Sequence, residues 1–270
     1  MTYLETDLVT TIEQLTENHL ATLTQSQLDG IDQFHGGGAD AVDRLLPSLG
    51  LTPGMTALDV GSGLGGPARQ IARSTGCAVV GVDTTQSYVD TAIALTHAAG
   101  LTGQVSFIWG DITDVERADF DAAYTMHVQM NVADKKAFFH EIASRLRPGA
   151  SLATFEVCRS GQDNPVIPLP WSLDGADNFL TTPADLLATI QGSGFESVEW
   201  VDETAWVLEW FQQLAASSTG AGAAPTLPVL LINGRTRMMN FAKALGNGIL
   251  TVHRGAFSRA VGGSATGGTS

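Results

Sequence analysis

Basic side chains are scarce in this chain. Its 270 residues hold 14 Lys and Arg against 28 Asp and Glu, a formal net charge of −14. Such a surface repels phosphate backbones, and apart from a few arginines near Arg235 and Arg254 there is no basic stripe. Nucleic acid is therefore disfavoured as a partner, and a neutral or cationic small molecule suits the charge better. Cysteine is nearly absent. Cys77 starts a predicted strand and Cys158 follows one, which favours buried free thiols over a disulfide or a metal site and fits a reducing cytoplasm. No apolar run reaches the length of a membrane span. The first residues include Glu5, Asp7 and Glu13 and do not read as a secretory signal. No internal repeat is present. The expectation is a cytoplasmic protein with no membrane partner; a homodimer is compatible with it.

What is abundant is apolar residue, 44% of the chain and spread along it, which argues against disorder. This length buries a full core and permits one domain with additions, or two. The densest information lies in Thr56-Ala57-Leu58-Asp59-Val60-Gly61-Ser62-Gly63-Leu64-Gly65-Gly66-Pro67. An apolar run ends in an acid and then breaks into glycines, the pattern of a buried strand, a tight turn and a helix over about Pro67 to Ser74. Glycines permit positive φ and a close ligand approach, and the amides at the helix start point at whatever sits over the turn.

Two ligand classes use such a turn. Gly61, Gly63 and Gly66 fit the dinucleotide fingerprint, with Asp83 about twenty residues on, where a ribose-binding acid belongs. Asp59 favours the other class. A carboxylate before the turn repels a pyrophosphate and attracts a ligand carrying an ammonium and a sulfonium, as S-adenosylmethionine does. Later strands repeat the form. Cys77 to Asp83 is a short apolar strand ending in an acid that can accept ribose hydroxyls. Val105 to Ile112 ends in Gly110-Asp111-Ile112, with Asp111 placed to accept an adenine amino group and Ile112 to pack on the ring. Phe120 to Val128 is a fourth strand, and Ser151 to Val157 a fifth. Between them a helix around Lys135 to Leu146 is stopped by Arg147-Pro148-Gly149.

With these motifs assembled, residues Leu51 to Val157 resemble a class I S-adenosylmethionine-dependent methyltransferase domain. A narrower likeness rests on Asp32-Gln33-Phe34-His35 with Gly37, Gly65-Gly66-Pro67-Ala68-Arg69, His127-Val128-Gln129-Met130-Asn131 with Asp134-Lys135, and Pro168-Leu169-Pro170-Trp171. These are similar to small-molecule methyltransferases of the sarcosine/dimethylglycine type, whose relatives also methylate other amines and natural-product carbons. The resemblance implies an α/β, Rossmann-like fold with a mostly parallel sheet and an antiparallel C-terminal strand. It implies one domain over residues 1–261: an N-terminal helical lid at 1–38, a cofactor core at 51–157, and a substrate-side part at 158–261. Residues 262–270 read as a flexible tail. Its cofactor contacts would be Gln33, Asp59, Gly61, Ser62, Gly63, Asp83, Thr84, Asp111, Ile112 and His127, with no metal.

The rest of the chain supplies candidates for the acceptor side. Leu4 to Leu28 has helical spacing and leads to Gly36-Gly37-Gly38, glycines that could make a hinge, with Gln33 and His35 facing the site. Asn164 to Trp171 is proline-rich and extended. Pro183 to Gln191 reads as a helix, Phe195 to Asp202 as an edge strand, Ser217 to Pro225 as a flexible loop. Leu227 to Gly246 reads as a helix broken near Asn233-Gly234, and Ile249 to Arg254 as a last strand. Trp206 and Trp210 fit core packing better than a substrate cage, though both remain acceptor candidates with His35, Met130 and Trp171. For catalysis His127 leads as a general base, with its structural reading equally weighted. His35 and Tyr124 stand behind it, Tyr124 fitting a packing role better. His19, His97 and His140 read as surface residues. A nicotinamide-dependent dehydrogenase and a cofactor-retaining cyclase or binding protein remain as alternatives.

Overall fold

The computed structural model describes residues 3–217 and 229–261. Seven strands form one sheet in the order β3-β2-β1-β4-β5-β7-β6. Strand β1 (Thr56–Val60) lies between β2 (Ala78–Asp83) and β4 (Phe120–Met126), both parallel to it, and is buried along its length. Strand β3 (Val105–Trp109) pairs parallel with β2. Strand β5 (Leu146–Arg159) pairs parallel with β4. Strand β7 (Leu250–Arg259) is inserted antiparallel between β5 and β6 (Phe195–Asp202). The expected fold class is thus observed: a mostly parallel sheet with one antiparallel C-terminal strand.

Alternation along the strands sends side chains to two cores. Ala57, Val79, Tyr124, Ala153 and Phe155 meet one face, with helices α3 (Gly38–Leu45), α4 (Gly66–Thr75), α8 (Thr204–Ser217) and α9 (Gly234–Gly246). Leu58, Val60, Val82, Ala123 and Leu152 meet the other, with α6 (Lys135–Arg145) and α7 (Pro183–Gly192). The N-terminal segment carries α1 (Leu8–Thr16) and the short α2 (Gln25–Leu28). Its Leu8, Ile12, Leu28 and Ile31 pack on Tyr88 and Leu95 of α5 (Gln86–Ala98).

Several local expectations change. Helix α6 ends at Arg145, as the Arg147-Pro148-Gly149 stop implies, but that segment is not a loop: β5 begins at Leu146, and the register with β4 shifts between Phe120 and Ala122. Such an irregular start tolerates a proline that cannot donate to the ladder. Strand β7 runs five residues beyond Arg254, to Arg259, because β5 offers it a partner from Ser151 to Arg159. Gly38 opens α3 instead of loosening a hinge. Residues 229–233 make a turn, and the helix expected from Leu227 starts at Gly234. The flexible loop read over 217–225 falls, past the end of α8, outside the described residues, as does the tail from Gly262. Cys77 and Cys158 are buried free thiols, as expected. His19, His97 and His140 are exposed. No described helix is long and apolar enough to cross a membrane.

Two buried arginines fix the outer segments to this frame. Arg69 of α4 donates to Asp32 at 2.7 Å, both side chains fully buried, and to Thr96 of α5 at 3.2 Å. Arg237 of α9 donates to the carbonyls of Leu169 and Pro170 and faces Glu5 at 3.5 Å. Glu5 in turn accepts from the Tyr88 hydroxyl and the Ile232 amide. Removing one partner of a buried pair leaves an uncompensated charge. Asp32→Ala should therefore lower the urea-unfolding free energy by about 3–5 kcal/mol. A loss under about 1 kcal/mol would mean that Arg69 finds water or another acceptor.

Candidate active site

A cavity of about 440 Å³ opens over the C-terminal ends of β1, β2 and β4. This is where parallel α/β sheets place ligands, and the volume lies in the usual range of about 300–1,000 Å³. Gly61 and Gly63 border it, as do Asp83, Thr84, Asp111 and Ile112. So do His127, Met130 and Trp171. These nine of the sequence candidates are brought together. The other seven, Gln33, His35, Asp59, Ser62, Tyr124, Trp206 and Trp210, lie behind the wall.

Asp83 is the best-defined polar group. Its Oδ2 accepts the Gly63 amide at 2.9 Å and its Oδ1 accepts the Thr85 amide at 2.8 Å. Each oxygen keeps a second lone pair for a hydroxyl donor. Burial raises its pKa, and the two amides pull it back. Asp111 is exposed; its Oδ1 accepts from Thr113 and its other oxygen is left for a ligand. Ile112 beside it is buried and supplies an apolar surface.

The glycine turn serves packing as much as a ligand. A Cβ on Gly61, whose φ is 78°, would meet Val128 at 2.4 Å. A Cβ on Gly66 would meet the Asp32 carbonyl at 2.5 Å and Gln33 at 2.9 Å. The chain before the domain therefore lies directly on the start of α4. This explains why Gln33 does not reach the cavity: it bonds Gln70 at 3.2 Å and His35 at 3.1 Å.

Asp59 lies away from the cavity expected for it. It lies in mid-sheet with Tyr124 opposite it in register, 3% exposed and off the cavity wall. Strand alternation turns it toward the α3/α4 face, while Val60 and Gly61 reach the cavity. Burial raises its pKa to about 7, partly offset by the Tyr124 hydroxyl. It does not present a bare carboxylate to a cationic ligand. Ser62 is buried against Gly81, and its hydroxyl has no partner among the described residues. Tyr124 is wholly buried and does not border the cavity. Trp206 and Trp210 pack over Gly37 and Gly38, and Arg44 lies 4.1 Å from the Trp206 ring. They are core residues joining α8 to α3.

His127 sits just past β4 with φ 55°, stacked on Phe155 at 5.7 Å, with Phe241 and His35 edge-on. Its Nε2 has no partner among the described residues. Glu156 of β5 sets this corner by accepting from Thr125 at 2.8 Å, Val128 at 3.0 Å and Gln129 at 3.2 Å. Sequence reading missed Glu156, whose only signal is an acid inside an apolar strand. It also missed Tyr3, Phe34, Tyr88 and Asn131 on the wall. The Tyr3 hydroxyl donates to Asn131 at 2.9 Å, a contact across 128 positions that no local pattern shows.

Residues 57–149 match the family model described as a methyltransferase domain. The sterol 24-C-methyltransferase erg6 of Aspergillus fumigatus is 31% identical over 184 residues, 64% of this chain and 48% of that protein. The chain thus matches about half the length of that curated relative. Among solved structures, the geranyl diphosphate C-methyltransferase of Streptomyces coelicolor aligns with a TM-score of 0.66 at 19% identity, over 83% of this chain and 78% of that one. A Galdieria sulphuraria protein assigned as a sarcosine dimethylglycine methyltransferase gives 0.64 at 16%, over 82% and 84%. The [4+2]-cyclase SpnF gives 0.67 at 22%, over 95% and 94%.

The buried titratable groups oppose one another. Burial holds His35 down at about 4 and His127 well below 6.5, so both rings are neutral and the unfolded chain binds protons that they refuse. Stability falls on that account as pH drops below 6.5. Asp59 and Glu156, both raised to about 7 by burial, take up protons in the folded chain first, and stability rises on that account. His127→Asn, which tolerates the left-handed backbone, removes one destabilising contribution. Its stability relative to the parent should rise as pH falls from roughly 6 to 5, by at most about 1.4 kcal/mol for one proton. Parallel urea-derived curves would show that His127 is protonated in the folded protein.

Proposed function

We propose that this chain, whose residues 57–149 match a methyltransferase domain model, is a class I S-adenosylmethionine-dependent enzyme that transfers a methyl group to a small-molecule acceptor in this cavity. The observation that carries the reading is the convergence of Asp83, Asp111, Gly61, Gly63 and His127 on one wall. The cofactor's sulfonium supplies an already activated methyl group. Asp83 would accept from the ribose hydroxyls and Asp111 from the adenine amino group, with Ile112 against the ring. Met130 and Trp171 would bound the acceptor, and Tyr3 and Phe34 would make the N-terminal segment its cover, the lid of residues 1–38. The chain would then act as one domain over residues 1–261. Alignment and exclusion of water are the protein's contribution.

The sterol methyltransferase relative favours carbon as the acceptor atom, in sterol or natural-product chemistry, over nitrogen or oxygen. The dehydrogenase alternative loses its support in the methyltransferase match. A cofactor-retaining cyclase stays as a second reading, because His127 is a poor base and the cyclase fold aligns along nearly the whole chain. Mass analysis of product separates the two: transfer adds a methyl group, and cyclisation leaves mass unchanged.

Asp83→Ala should weaken S-adenosylhomocysteine binding by about 1–3 kcal/mol in calorimetry. Asp111→Asn, at an exposed position where Asn keeps an acceptor for the Thr113 amide, should weaken it in the same direction. His127→Asn should leave that affinity nearly unchanged and, if His127 is the base, reduce turnover roughly a hundredfold. Unaltered binding in both aspartate variants would overturn the assignment of the cofactor half.

A further inference from the structure

The acceptor half of the cavity is bounded by Tyr3, Phe34, Met130, Pro170, Trp171 and Leu231. Its polar groups are already engaged. The Tyr3 hydroxyl goes to Asn131, the Asn131 amide to the carbonyls of Trp171 and Asp177, and the Trp171 ring N–H to Asn178. What this wall offers a ligand is apolar and aromatic surface.

All 14 Lys and Arg fall among the described residues, and none borders the cavity. Three touch residues that do, and each is engaged. Arg237 donates to the carbonyls of Leu169, Pro170 and Ile232 and faces Glu5. Lys135 donates to the carbonyls of Val132 and Phe179. Arg145 donates to the Thr113 carbonyl and pairs with Glu141. The charged residues on the wall are all acids: Asp83, Asp111, Asp134 and Glu141. The Thr85 amide at the start of α5 is donated to Asp83. Among the described residues no group of three or more His, Cys, Asp and Glu could hold a metal ion to bridge an anion to these acids.

We infer that the acceptor is a largely apolar molecule without phosphate or other anionic groups, reacting through a neutral atom. The inference rests on the methyltransferase reading and narrows it. Phosphate recognition needs cationic donors, and burying an unpaired anion is strongly unfavourable. Attack by a neutral atom breaks the carbon–sulfur bond with its electron pair going to sulfur. The new bond carries the positive charge onto the acceptor, and loss of a proton to water restores neutrality where the product is acidic. An aromatic, acid-flanked cavity suits that moving positive charge.

The test uses the full chain saturated with S-adenosylhomocysteine and two matched pairs, geraniol with geranyl diphosphate and farnesol with farnesyl diphosphate, in calorimetry with and without Mg²⁺. Each alcohol is expected to bind at least tenfold more tightly than its diphosphate. Leu231→Lys, which adds a cation to the wall, is expected to narrow that ratio at least threefold. A diphosphate that binds as tightly as its alcohol overturns the inference. So does S-adenosylhomocysteine binding with neither alcohol bound. Failure of S-adenosylhomocysteine itself to bind overturns the methyltransferase reading, and this inference with it.

Discussion

The contact between Asp32 and Arg69 joins the two halves of the candidate site. Arg69 belongs to α4, the helix that leaves the glycine turn; Asp32 belongs to the segment whose Tyr3 and Phe34 border the cavity. With both side chains fully buried, the pair is hydrogen-bonded at 2.7 Å, and Thr96 takes a second guanidinium donor. A buried pair gives little net stability over an apolar substitute, since desolvation offsets most of its attraction. Its effect is to fix one geometry: a shifted N-terminal segment would leave a charge without its partner. Gly66 completes the arrangement, because any side chain there would push the Asp32 backbone off the helix.

That constraint also explains what could be read from the sequence. The sheet was legible because β1, β2 and β3 run into a distinctive glycine or acid, and because parallel strands buried on both faces are short apolar runs. Asp83, Asp111 and Ile112 were legible on the same ground. The placement of Asp59 off the cavity was not legible, because sequence shows that an acid precedes the turn and not to which face it points; register with Tyr124 decides that. Gln33 and His35 were recognised as part of a motif but given the wrong neighbour. Their partners are each other, Gln70 and the packed rings around His127.

What was illegible shares one cause. Tyr3 with Asn131, Glu5 with Arg237, and Glu156 with the amides after His127 are contacts between segments far apart in sequence. No periodicity records them. A buried acid inside an apolar strand, such as Glu156, is nevertheless a usable signal. It must be satisfied, and the groups that satisfy it lie at a corner whose geometry is fixed. Here that corner carries His127 in a left-handed conformation.

The suppressed basicity of His127 follows from the same burial that shapes the acceptor half. Phe155, Phe241 and His35 surround the ring, and removing water from it disfavours the imidazolium. A site cannot be both this dry and a strong proton acceptor at that position unless an acid faces the ring. Glu156 does not fill that role; its oxygens are committed to Thr125, Val128 and Gln129. Dryness is what an activated methyl donor requires, because water is a competing nucleophile. The chain therefore favours exclusion of water over base strength. That choice is consistent with an acceptor that attacks as a neutral molecule and sheds its proton, where it has one to shed, only after the new bond has formed.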